Sequence, residues 1–161
     1  MRSWKDYLKD EAGTQALGAA LGRVLQPGLC LHLHGDLGAG KTFLTRAMLH
    51  AAGYEGRVKS PTYTLVEAYP IHLHGQAVEL LHFDLYRMGS PEEFIDAGFR
   101  DHFGGSKICV VEWPEQAGNL MPAADIAVFL TVENEGRAVE LRANSPQGAS
   151  CLDLLHLSPN L

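Results

Sequence analysis

The chain has 161 residues, with 13 Lys and Arg against 19 Asp and Glu, a formal net charge of −6. With 46% hydrophobic and 20% charged residues it has a globular composition, and its length suits one domain over residues 1–161 that folds without disulfides. The acid excess argues against a chain that grips DNA or RNA by itself, since neutralising phosphates takes clustered Lys and Arg.

Residues 14–25 place Leu17, Ala20, Leu21, Val24 and Leu25 at helical spacing, and Pro27-Gly28 ends the helix. Leu29 to Leu33 is an apolar run of strand length, broken only by His32. After a glycine-rich loop, Phe43, Leu44, Ala47, Met48 and Ala51 again repeat at three and four, with Gly53 as the stop. Residues 63–69 read as a strand rich in β-branched and aromatic residues, and residues 70–76 as a turn. Val78 to Phe83 is a second apolar strand ending in Asp84, and residues 91–97 are a short helix with Pro91 at its start. Ile108 to Val111 is a buried strand ending in Glu112. Residues 126–143 alternate about a Glu133-Asn134-Glu135-Gly136 turn and predict a hairpin. The class is α/β: a mixed sheet flanked by helices, with a C-terminal β-hairpin.

Cys30, Cys109 and Cys151 are far apart and show no metal-ligand spacing, which predicts reduced, buried thiols. The N-terminus MRSWKDYLKDEAG has no apolar signal core, and no segment reaches the length of a membrane span. A cytoplasmic protein without membrane contact is expected.

The loop itself is His34-Gly35-Asp36-Leu37-Gly38-Ala39-Gly40-Lys41-Thr42. Residues 35–42 match the pattern G-x-x-x-x-G-K-S/T. Glycines let backbone amides wrap phosphate groups, and the following helix adds the positive end of its dipole. Lys41 is placed to reach the β- and γ-phosphates, and the Thr42 hydroxyl to bind Mg2+. ATP and Mg2+ are the expected ligand and cofactor. A P-loop NTPase also needs a carboxylate at a neighbouring strand end, and Asp84 and Glu112 both stand at one. Glu112 follows the longer apolar run and is assigned to the Mg2+ shell. Asp84 is then the candidate for orienting the attacking water, though the two roles are exchangeable on this reading.

Four segments, GDLGAGKT (35–42), SPTYTLVEAY (60–69), HFDLYR (82–87) and VEWPE (111–115), occur in this order. Together they resemble the TsaE (YjeE) family of bacterial P-loop ATPases, over residues 14–141. The resemblance implies a role in making N6-threonylcarbamoyladenosine at adenosine 37 of tRNA. It implies two partner proteins, TsaB and TsaD, which hold the tRNA and are reset between turnovers by ATP binding and hydrolysis. Carried over by motif, Gly38, Ala39, Gly40, Lys41 and Thr42 cradle the nucleotide, Thr42 and Glu112 hold Mg2+, and Lys41, Asp84 and Glu112 are the catalytic candidates. Residues 60–63 look like a switch-like loop, and Trp113 would border the site. Thr14 and Arg137 match residues near the base. Phe43 stands where the family often has a second Thr, so only its backbone amide is left for the α-phosphate.

His32 with His34, and His72 with His74, have the strand spacing of metal pairs, but no Cys or acidic partner is near in sequence. His82 shares a strand face with Asp84, where it could tune that acid or simply pack, and packing is the favoured reading. Arg87 could act as an arginine finger or pair with Glu92 or Glu93, and Arg100 is a second candidate finger. A small-molecule kinase would share the cradle and both acids, but an Arg-rich lid is missing. A nucleotide-dependent binding module that does not hydrolyse is the other alternative.

Overall fold

The computed structural model describes residues 2–156, a seven-stranded mixed sheet with helices on both faces. The strands are β1 (Ser3–Leu8), β2 (Cys30–His34), β3 (Val66–Leu73), β4 (Gln76–Asp84), β5 (Ile108–Glu112), β6 (Ile126–Glu133) and β7 (Gly136–Ala143). The helices are α1 (Glu11–Val24), α2 (Lys41–Ala51), α3 (Glu92–Asp96) and α4 (Pro146–His156), with 3-10 turns at Phe99–His102 and Pro114–Leu120. The sheet order is β1-β7-β6-β2-β5-β4-β3. The central run β6, β2, β5 and β4 is parallel, and antiparallel strands close both sides.

Parallel strands need both faces covered, and the apolar residues sort accordingly. Leu31, Leu33, Val110 and Val128 face Leu17, Leu21, Leu44, Met48, Leu152 and Leu155 of α1, α2 and α4. On the opposite face Leu81, Phe83, Cys109 and Val111 pack against Phe94, Phe99 and Ala117. Helices α1 and α2 approach closely because α1 has glycines at the crossing: a Cβ on Gly18 would stand 2.5 Å from Ala47 Cβ. All three cysteines are free thiols and buried, as expected. Burial pushes Cys109 up to about 12 and Cys151 up to about 11. Among the described residues no helix is long and apolar enough to cross a membrane.

Several boundaries differ from the sequence reading. Helix α1 begins three residues before Thr14, because Asp10 caps it by accepting the Gly13 amide at 2.9 Å. The strand expected from Tyr63 begins at Val66; residues 62–64 turn first, and Leu65 has φ 68°. The turn expected over 70–76 is in truth a two-residue hairpin loop, His74-Gly75, with positive φ at both positions. Pro70 sits inside β3, tolerated because β3 is the sheet edge. Strand β1 and helix α4 have no counterpart in the sequence reading. β1 is a polar edge strand paired with β7 from Ser3↔Arg142 to Leu8↔Arg137. In α4, Ser145 Oγ accepts the Gly148 amide at 3.0 Å, and Cys151, Leu152 and Leu155 are buried.

Candidate nucleotide site

The glycine loop connects β2 to α2, as the order of strand, loop and helix predicts. Gly38 and Gly40 have φ of 82° and 106°, a region that a side chain strains. A Cβ at Gly35 would stand 2.7 Å from the Leu130 carbonyl oxygen, so the loop lies against β6. Gly40 caps α2 without a side chain, which leaves the first-turn amides of the helix for a ligand.

Lys41 and Thr42 open α2 above the ends of β4 and β5. Lys41 is 5% exposed. Its ammonium donates to the Gly35 carbonyl and stands 3.7 Å from the centre of the Trp113 ring, a cation–π contact. Burial lowers the Lys41 pKa, against the pull of Glu112 and Asp84. Trp113 adopts a left-handed conformation, φ 59°, which turns the chain sharply after Glu112 and brings the indole over the loop.

The two acids are neighbours. Asp84 and Glu112 are register partners on adjacent parallel strands, so both side chains point to the face that carries α2. Thr42 Oγ1 donates to Glu112 Oε2 at 2.8 Å. Asp84 Oδ1 instead accepts the Tyr86 amide at 3.1 Å. Burial raises the Asp84 pKa, the Tyr86 amide opposes this, and the Glu112 charge raises it further.

These residues line a cavity of about 420 Å³ bordered by Gly38, Gly40, Lys41, Thr42, Phe43, Asp84, Glu112 and Trp113. Ser60 and Thr62 of the switch-like segment are on its wall, joined by a 2.8 Å hydrogen bond between their hydroxyls, while Tyr63 is 85% exposed. A second cavity of about 270 Å³ on the other side of the loop is lined by Thr14, Gly38, Ala39, Gly40, Phe43 and Arg137. Arg137 donates to the carbonyls of Ala39 at 2.9 Å and Gly38 at 3.3 Å, so the hairpin turn is tied to the glycine loop. All eleven residues that the sequence assigns to nucleotide binding, metal binding or catalysis thus border one of two adjoining cavities.

Other readings change. His82 does not merely pack: fully buried, its Nε2 donates to Glu112 Oε2 at 2.6 Å, and it also acts on Asp84, whose pKa it pulls down against the effect of burial. Arg87 lines the larger cavity and stands over the Tyr63 ring at 5.2 Å, with no ion pair to Glu92 or Glu93 among the described residues. Arg100 lines neither cavity. Among the described residues no cluster of three His, Cys, Asp or Glu could hold a metal, so the histidine pairs gain no ligand set. His34 stacks on Phe129, with ring centres 4.6 Å apart.

A glycine loop between a central parallel strand and a helix, with a Lys-Thr pair facing two acids at neighbouring strand ends, defines a P-loop-type nucleotide-binding protein. Residues 8–139 match the family described as "Threonylcarbamoyl adenosine biosynthesis protein TsaE". A tRNA threonylcarbamoyladenosine biosynthesis protein TsaE of Haemophilus influenzae is 40% identical over 157 residues, covering 94% of this chain and 97% of that one. Its counterpart of the same name in Bacillus subtilis is 32% identical over 127 residues, covering 79% of this chain and 75% of that one. The chain belongs to the TsaE family of tRNA threonylcarbamoyladenosine biosynthesis proteins. The crystal structure of Bacillus subtilis YdiB shares the fold, with a TM-score of 0.74 at 23% identity over 96% of this chain and 95% of that one.

Proposed function

We propose that this chain is a single-domain, cytoplasmic ATP-binding and ATP-hydrolysing accessory protein of tRNA N6-threonylcarbamoyladenosine formation, acting on a TsaB–TsaD pair to permit its turnover. The observation that carries the ATPase reading is the pairing of Thr42 with Glu112, with Asp84 alongside, under the glycine loop. A P-loop hydroxyl that donates its proton to a strand-end carboxylate keeps its lone pairs directed to a cation. This donor set fits Mg2+, which prefers oxygen ligands and would supply neutralising charge at the phosphate oxygens.

The protein's own groups divide the work. The amides of Gly38, Ala39, Gly40, Lys41, Thr42 and Phe43 bind phosphate, and Lys41 adds a fixed positive charge. Thr42 and Glu112 would hold the metal. Asp84 orients the attacking water: its Oδ1 is engaged by the Tyr86 amide, which leaves Oδ2 for water, and burial makes the carboxylate a better proton acceptor. Thr14, Arg137 and Trp113 frame the nucleotide on either side of the loop. The net charge of −6 suits a chain whose partners hold the tRNA.

The test is ATP hydrolysis by the purified chain, alone and with TsaB and TsaD. Stimulation by the pair, absent in Asp84→Ala, is expected. Asp84→Ala should still bind ATP; loss of binding would instead assign the metal to Asp84. Absence of stimulation, with phosphate transfer to an added metabolite, would replace this reading with a kinase.

A further inference from the structure

We propose that His82 is a positioning residue that fixes the Glu112 carboxylate for Mg2+-dependent nucleotide binding. This rests on the reading of Glu112 as a metal-site carboxylate.

The geometry comes from the strand register. Leu80, His82 and Asp84 of β4 share a face with Ile108, Val110 and Glu112 of β5, because the pairs Leu80↔Ile108, His82↔Val110 and Asp84↔Glu112 are in register. His82 is therefore one step below Asp84 and diagonal to Glu112. Its Nε2 lies 2.6 Å from Glu112 Oε2, the same oxygen that accepts the Thr42 hydroxyl at 2.8 Å. A carboxylate oxygen only accepts, so the Nε2 hydrogen points at Glu112. Two donors from two elements, one from β4 and one from α2, thus converge on a single oxygen. That restrains the carboxyl group and leaves Oε1 without a hydrogen bond among the described residues.

A packing role does not account for this residue. His82 is 0% exposed, and its Nδ1 is buried without a partner among the described residues. Burying an unpaired ring nitrogen costs stability that a leucine would avoid. What the histidine supplies, and an apolar residue cannot, is the donor to Glu112. The donor matters because Lys41 lies within electrostatic reach of Glu112. Held by Thr42 alone, the carboxylate would be free to swing toward the Lys41 ammonium, withdrawing both from phosphate and metal. Outer partners that orient a ligand are worth about 10- to 100-fold in metal affinity.

The experiment compares His82→Gln, whose amide nitrogen reaches the Nε2 position, with His82→Asn, whose amide is too short. Binding of a fluorescent ATP analogue is titrated in Mg2+ and in EDTA. The affinity gained from Mg2+ should fall by about tenfold or more in His82→Asn and be largely kept in His82→Gln, with affinities in EDTA unchanged. In a Glu112→Gln background His82→Asn should cost nothing further, since it acts through Glu112. His82→Met is the second non-donating variant should His82→Asn fail to fold by circular dichroism. An undiminished Mg2+ gain in the non-donating variants overturns the proposal. So does an equal loss with and without Mg2+, which marks a packing role. Wild-type chain that binds no nucleotide would overturn the proposed function itself, an outcome visible before any variant is made.

Discussion

Asp84 and Glu112 stand side by side at the ends of two parallel strands, one bonded to the Tyr86 amide and the other to Thr42 and His82. Two mostly buried acids in adjacent positions trade stability for chemistry. Because burial raises the Asp84 pKa, the native chain holds this proton to higher pH than the unfolded chain does. The associated stability is present at low pH and is lost as pH rises through the folded value. Asp84→Asn keeps the acceptor for Tyr86 and removes the charge. Its melting temperature at pH 7 should exceed the wild type's by about 2–4 °C, and the difference should vanish as pH falls into the ordinary carboxylate range. A variant that melts lower than wild type at pH 7 would contradict this.

Lys41 is nearly buried, and burial already disfavours its charge. Lys41→Met should therefore leave the melting temperature unchanged or raised, while nucleotide affinity falls by about 100-fold, the scale of a lost charged contact to phosphate. Its ammonium lies on the Trp113 face, so the variant should also change the Trp113 emission in the absence of nucleotide. Calorimetry and fluorescence on one sample check all three.

His32 titrates in the opposite direction to Asp84. Burial lowers its pKa from 6.5 to about 4, and Nε2 has no partner among the described residues. The unfolded chain takes up this proton first as pH falls. Stability is thus intact above about pH 6.5 and is lost between there and about pH 4. His34, also lowered chiefly by burial, adds in the same sense. His32→Leu should flatten the decline by an amount on the order of 3 kcal/mol, measured by urea unfolding across that range. An unchanged slope would refute it.

Arg137 joins the β6–β7 turn to the carbonyls of Ala39 and Gly38. Arg137→Ala should loosen the loop before any ligand arrives, so amides 38–40 should exchange faster with deuterium. Nucleotide affinity should fall by about tenfold, mainly through faster dissociation. Unchanged exchange would show that the loop holds its own shape.

The centre of the fold was legible because buried parallel strands are continuous apolar runs and their ends carry the acids: Leu29 to Leu33 and Ile108 to Glu112 were read nearly to the residue. The phosphate loop was legible because glycine and lysine have few other reasons to be so spaced. The edges were not. β1 has a mostly exposed, charged sequence, SWKDYL, and exists through its pairing with β7. The start of α4 had a local signal, Ser145 followed by Pro146, with Cys151, Leu152 and Leu155 at helical spacing behind it. The bond from His82 to Glu112 was out of reach, since it depends on how β4 registers against β5, which periodicity does not encode.

Pro70 in β3 has a consequence for assembly. β3 is an outer strand, and positions 68, 70 and 72 turn their backbones away from β4. The His72 amide is already taken by the Ala52 carbonyl at 2.9 Å, and Pro70 has no amide to give. Val66, which faces the same way, and Ala68 keep outward donors, but the donors missing at 70 and 72 break the ladder that a further strand would need. On this side strand addition is blocked beyond Ala68, over the hairpin half of β3, and contact with other chains there is left to side chains and loops.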